Sequence, residues 1–290
     1  MLWLYLTLFA YFLNAIVFII DKYLLHTHIQ KPFSYAFGVA ILSLGALLLI
    51  PFGVFWHGWQ YFGISIACGA MFFVALIFLY TSVRMSDVTT ASTQVGTISV
   101  IFTYIFSILL LGQVLSFSNN IAFGFLLLGV FMLSRLHAKM TGHAVIAGII
   151  FGLYFVLIKL LFNTSGYIDG LFWTRMGFVG AAILSLITPE ARKEVYNTFK
   201  SSTHGSKVLF ALNKVISGVG FLVLYWAIKL GNVSIVNSLL GFQFLLTFIV
   251  ALIFRNKISS LADKWDRRTV IEKLAGITSI ILGFIFLRFR

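Results

Sequence analysis

The sequence predicts an all-α integral membrane protein: ten transmembrane helices packed as two inverted five-helix repeats in one compact bundle. Composition is the first ground. Of 290 residues, 60% are hydrophobic and 10% charged, with a mean hydropathy of +1.03, where soluble domains carry roughly 25% charged residues. A water-soluble core cannot hide that much apolar surface. The second ground is a stretch that occurs twice. YTSVRMSDVTTASTQVG from Tyr80 and YWAIKLGNVSIVNSLLG from Tyr225 align without a gap, pairing Tyr80 with Tyr225, Arg84 with Lys229, Asp87 with Asn232, Ser92 with Asn237 and Gly96 with Gly241. The third is spacing: a helix needs about 20 apolar residues to cross a bilayer core, and the chain divides into ten such runs.

The first five spans run approximately Leu2–Ile20, Phe33–Phe52, Tyr61–Tyr80, Thr89–Leu111 and Asn120–Leu133. The second five run His143–Phe162, Gly170–Ile187, Val208–Ile228, Ser234–Phe254 and Ile271–Phe289. Met1 leads straight into the first apolar run with no basic leader, so this run reads as a retained helix rather than a signal peptide. Lys22 aligns with Lys159 and Pro51 with Pro189, which makes residues 1–136 the first repeat and 137–290 the second. An odd number of spans per repeat forces the two halves into opposite orientations. Only two polar stretches are long, Glu190–Lys207 and Arg255–Lys273, and the second is expected to include an interfacial helix with Trp265 at headgroup depth.

The net charge of +13 resides in short loops between apolar spans rather than along one face, which argues against nucleic acid as the partner and for a bilayer. Loops after odd-numbered spans hold most of the basic residues, among them Lys31, Arg84, Arg135, Arg192 and Lys257, whereas the even loops and the two ends hold Lys229, Arg288 and Arg290. The positive-inside rule then places the odd loops in the cytoplasm and both termini outside. Cys68 is the single cysteine, so neither an intrachain disulfide nor a thiolate metal site can form. His26 and His28 lack a third ligand, and no metal or cofactor is expected.

LLLGQVLS followed by GFLLLGV after span four, Arg175 early in the second span of its repeat, and the short turn between spans three and four give the chain its resemblance to the EamA-like family of the drug/metabolite transporter superfamily, over nearly the whole length. The sequence departs from that family's pattern in three ways. The usual Pro of the fourth span and its repeat partner is absent around Ile98–Val100 and Gln243–Leu245; the usual Glu after span four is Gln113, with Asn256 in the second half; and the family is commonly drawn with both ends in the cytoplasm, opposite to the charge count. The resemblance implies an exporter of amino acids or related compounds.

Candidate binding residues come from polar groups within the spans. Ser92, Gly96, Ser99, Thr103 and Ser107 form a small, polar stripe on span four, which reads first as a helix-packing seam. Gln94, Asn237 and Gln243 carry carboxamides that must face protein or a wet cavity, so each either lines the cavity between the repeats or bonds a neighbouring helix. Asn14 is the deepest isolated polar residue of the first bundle, and Tyr80, Tyr154, Tyr225 and Trp226 can stack on a substrate or pack internally. Lys159, Arg175 and Lys214 are cations within spans: they anchor a carboxylate or phosphate, or snorkel to the interface with Asp169 neutralising one of them. All eight acidic residues fall in loops or at span ends, so no carboxylate proton relay is expected near the midplane.

These features predict a secondary transporter, an exporter or exchanger of small polar or amphipathic metabolites, working by alternating access in the cell (inner) membrane as a monomer or homodimer. The alternative is a non-transporting membrane protein, a receptor or assembly subunit. The phosphate-loop pattern GxxxxGK[ST] is absent, and the spans hold neither HExxH nor a His and carboxylate cluster, so an enzyme is not expected.

Overall fold

The computed structural model describes the backbone of residues 1–85, 88–134, 141–254 and 267–288, and among these the side chains of all but 88–90, 251–254, 267–270 and 288. The described residues form helices joined by short turns, with no strand. In lipid no water is available to satisfy a backbone amide, so an apolar run folds as a helix that closes its own hydrogen bonds. The helices are α1 (Leu2–Thr27), α2 (Pro32–Leu42), α3 (Trp59–Met85), α4 (Val88–Leu111), α5 (Phe117–Ser134), α6 (Gly142–Thr164), α7 (Tyr167–Ser185), α8 (Pro189–Ser201), α9 (His204–Leu230), α10 (Val233–Ser238), α11 (Leu240–Phe254) and α12 (Arg267–Arg288). Their starts follow local chemistry: Pro32 and Pro189 stand in first turns, and Thr141, Thr203 and Asn232 each accept a backbone N–H through the side chain.

Among the described residues, eight spans are long and apolar enough to cross a membrane, or nine if α7 and α8, bent by 105° at their junction, count as one. The chain is an integral membrane protein, and its outward face carries large apolar side chains such as Leu48, Leu109, Leu184 and Val215 that suit contact with lipid. Helices approach closely where small residues face each other. On α5 and α12, Gly129 meets Gly276 and Ile280, and Gly283 meets Leu126, an antiparallel pairing. On α4 and α6, Gly148 and Gly152 fit against Ile98 and Phe102. Helix α4 also runs antiparallel to α10 and α11, where Asn237 Nδ2 donates to Thr103 Oγ1 at 2.7 Å and Ser107 and Ser234 share a 2.7 Å hydrogen bond. The span-four stripe is therefore a packing seam at Thr103 and Ser107, while Ser92, Gly96 and Ser99 border a cavity.

Three departures from the expected spans matter. The second span is α-helical only to Leu42; Ser43–Phe52 continues it as a ten-residue 3₁₀ segment, none of it buried, which ends at Gly53 in the left-handed region. The ninth span is interrupted at Leu239, between α10 and α11. The polar stretch after span seven forms α8, a mostly exposed helix that docks on the start of α2, where Ser34 Oγ donates to Glu194 and Thr198. The interfacial helix expected around Trp265, the Asp87 half of the duplicated turn and the boundary between residues 136 and 137 lie outside the described residues.

Candidate functional site: a charged cavity between α2, α7 and α9

Two cavities share a wall inside the bundle. The larger, about 270 Å³, has Phe72, Leu76 and Tyr80 of α3 as its floor and is enclosed by α2 with its 3₁₀ continuation, α7 and α9. The smaller, about 140 Å³, lies among α1, α4, α6, α9, α10 and α11. Leu76, Tyr80, Ser217 and Phe221 line both.

Arg175 projects into the larger cavity from α7. Its position follows from a close helix crossing: a Cβ on Gly69 would stand 2.2 Å from Thr174 O, and one on Gly177 would stand 2.6 Å from the Ile66 backbone, so only glycine lets α3 and α7 meet backbone to backbone. The guanidinium then lies against aromatic faces, 5.1 Å from the Phe72 ring, 5.3 Å from Tyr225, 5.8 Å from Phe221 and 5.9 Å from Phe178. Its Nη2 donates to Tyr225 Oη at 2.8 Å, and that hydroxyl shares a 2.7 Å hydrogen bond with Tyr154. Among the described residues no carboxylate pairs with it. Aromatic faces stabilise a desolvated cation by about 0.5–2 kcal/mol each at best, without neutralising it.

Lys214, on the opposite wall, is compensated. Its Nζ lies 2.5 and 2.7 Å from the two carboxylate oxygens of Asp21, which also accepts from Tyr35 Oη at 2.6 Å and from Asn213 Nδ2. Lys214 lines the larger cavity and Asp21 the smaller, so this ion pair stands in the partition between them. The expectation that every acid stays at a span end or in a loop is thereby corrected. Helix α1 continues to Thr27, and Asp21 is 4% exposed inside the bundle because a lysine, a tyrosine and an asparagine supply the donors that make its burial tolerable. Asp169 is corrected too. It neutralises neither Lys159 nor Arg175 but accepts the Phe55 N–H at 2.8 Å and lies 2.7 Å from His57 Nε2, tying the 53–58 turn to the start of α7.

The remaining candidates divide by location. Tyr80, Arg175 and Lys214 line the larger cavity; Asn14, Tyr80, Asn237 and Gln243 line the smaller. Tyr154 and Tyr225 stand behind Arg175 and fix its orientation. Gln94 is buried on α4 and lines neither cavity. Lys159 ends in three carbonyls, those of Ile228, Lys229 and Gly231 at 2.8, 2.8 and 3.0 Å, where it caps the C-terminus of α9. Sequence reasoning missed Asp21, Tyr35, Asn213, Ser217 and Phe221. Asn213 beside Lys214 in mid-span was the available signal, since two adjacent polar residues there need a partner on another helix.

The cavity is asymmetrically walled. The α3–α7 seam is closed by its glycines and by Phe73 against Phe178. Helix α2 meets α9 near its start, where Gly38 and Tyr35 touch Phe210, and beyond Leu42 the two separate. A Cβ at Gly45 or Gly218 would meet nothing within 4 Å, and the rim residues Leu42, Val215 and Leu222 are exposed while the floor is buried. The mouth thus opens between the 3₁₀ segment and α9.

Among the solved structures similar to this chain is a protein crystal structure with a TM-score of 0.63 and 15% sequence identity, the match covering 96% of this chain and 97% of the other. At that identity the likeness concerns the fold alone. No family model and no curated protein matches the chain.

Proposed function

We propose that the chain is a secondary carrier, built of ten spans in two inverted repeats, that moves a small molecule across the cell membrane by alternating access. The observation that carries this reading is the pairing of a charged internal cavity with one closed and one open seam. Under the duplicated alignment, α3 against α7 corresponds to α9 against α2. In an inverted repeat, equivalent seams exchange their states when the halves rock, so a closed α3–α7 seam beside an open α2–α9 seam is what one access state should look like. The antiparallel run of α4 along α10 and α11, which hold the duplicated stretch, supports a pseudo-twofold at that place. The resemblance of the sequence to the EamA-like family agrees with it. The carrier performs no chemical step; its partners are the substrate and the bilayer, and it works as a monomer or homodimer.

Cys68 supplies the test. It is buried on α3 next to Gly69 of the closed seam, its own Sγ turned toward α6, 3.9 Å from Tyr154 O. Alternating access must open that seam, so a membrane-permeant maleimide should alkylate Cys68 in native membranes faster than the protein unfolds. Alkylation that tracks unfolding and nothing faster would refute the carrier.

A further inference from the structure

The charge balance and lining of the larger cavity define its occupant more narrowly. A guanidinium has five N–H donors, and the protein takes one of them from Arg175, through Tyr225. Lys214 is neutralised by Asp21, whose oxygens are already committed to Lys214, Tyr35 and Asn213. The lining therefore carries one unbalanced positive charge and no free carboxylate. A zwitterion such as an amino acid would bring an ammonium with no carboxylate in the lining to balance it. Apart from Arg175, the paired Lys214, Tyr80 and the hydroxyls of Ser43 and Ser217, the walls are apolar, and the mouth between the 3₁₀ segment and α9 is rimmed by exposed Leu42, Val215 and Leu222 on the outward face of the bundle. A polar solute finds few partners along that rim, whereas an apolar body is stabilised by leaving water for it.

We propose, resting on the carrier reading above, that the ligand is an amphipathic monoanion that enters from the bilayer side: its anionic head meets Arg175 and its apolar body lies in the cleft between the 3₁₀ segment and α9. The test uses the full chain in nanodiscs of zwitterionic lipid, with radiolabelled decanesulfonate as a probe that stays ionised. Saturable binding above empty discs is expected, weakened at least tenfold by Arg175→Gln. Gly218→Leu, which fills the cleft, should weaken decanesulfonate binding and spare methanesulfonate. Should Arg175→Gln fail to fold, Tyr225→Phe removes only the hydroxyl that orients the guanidinium and should weaken binding severalfold. Decyltrimethylammonium or phenylalanine binding as tightly as decanesulfonate, or unchanged affinity in Arg175→Gln and Tyr225→Phe, would overturn the proposal. Adding phosphatidylglycerol to the discs separates the sources: suppressed binding identifies a lipid headgroup as the anion, and undiminished binding a free amphiphile, both within the proposed class. Counterflow in proteoliposomes keeps the two readings apart. Arg175-dependent binding without counterflow sinks the carrier and leaves the ligand class, while counterflow of a cation that is indifferent to Arg175→Gln does the reverse.

Discussion

Replacing Lys214 by Met isolates the ion pair in the partition between the cavities. Removing one partner of a buried pair destabilises by about 3–5 kcal/mol, because the other charge is left uncompensated. Here Asp21 keeps two neutral donors, Tyr35 and Asn213, and borders the smaller cavity, so Lys214→Met should fall near the lower figure. Asp21→Asn leaves the ammonium beside the larger cavity and over the Tyr35 ring at 4.9 Å, with an amide oxygen still able to accept, and should cost about 1–3 kcal/mol. The double variant removes both charges at once. It should be less destabilised than the sum of the single variants by about 2 kcal/mol, within the range measured for groups in one network. Equilibrium unfolding in mixed micelles, read by circular dichroism on the four proteins, gives the coupling. Additivity to within about 0.5 kcal/mol would mean that the two charges do not sense each other, and the partition argument would fail.

Four further outcomes follow from the same geometry. Lys159→Met should lower stability by about 1.5–3 kcal/mol through the lost cap on α9 and leave decanesulfonate affinity unchanged, because the ammonium serves three carbonyls and lines neither cavity; unfolding and binding measured together decide it. Asp169→Ala should release the Phe55 N–H and His57, so that amide exchange in the 53–58 turn quickens while α3 and α7 stay protected. Gly69→Val should cost at least the roughly 1–3 kcal/mol of an overpacked core site, and speed Cys68 alkylation by forcing α3 from α7; a variant as stable and as slowly alkylated as the parent would contradict the closed seam. A tag after Arg290 should react with an impermeant reagent on intact cells, as the distribution of basic loops requires.

The helical membrane architecture was legible because it rests on local composition: a run of apolar residues in lipid has one way to satisfy its backbone. Arg175 was legible for the same reason, since a charge inside a span demands an explanation. Partnership was not. Asp21 looked like the end of a span because hydropathy falls there, yet α1 continues to Thr27 as its polar residues are satisfied from α9, a helix about 190 positions away in the chain. Asp169 illustrates the converse: sequence proximity suggested Arg175 or Lys159, whereas the fold brings the 53–58 turn over it. The span-four hydroxyls share one helix face and divide by height along it, Ser107 and Thr103 toward helix contacts and Ser92 and Ser99 beside the smaller cavity. Pro51 marked the end of the second span, whereas the 3₁₀ winding of Ser43–Phe52, which rests on α7 and parts from α9, left no local mark in the sequence.

The 3₁₀ winding of that lip has a geometric corollary. A 3₁₀ helix rises about 2.0 Å per residue and an α-helix about 1.5 Å, so rewinding the ten residues Ser43–Phe52 would shorten them by about 5 Å, close to one α-helical turn. Pro51 and Gly53 would be drawn inward by that length, and side chains now stacked three to a turn would rotate progressively out of line. The segment can thus act as a telescoping strut, changing the reach of α2 without any helix having to tilt.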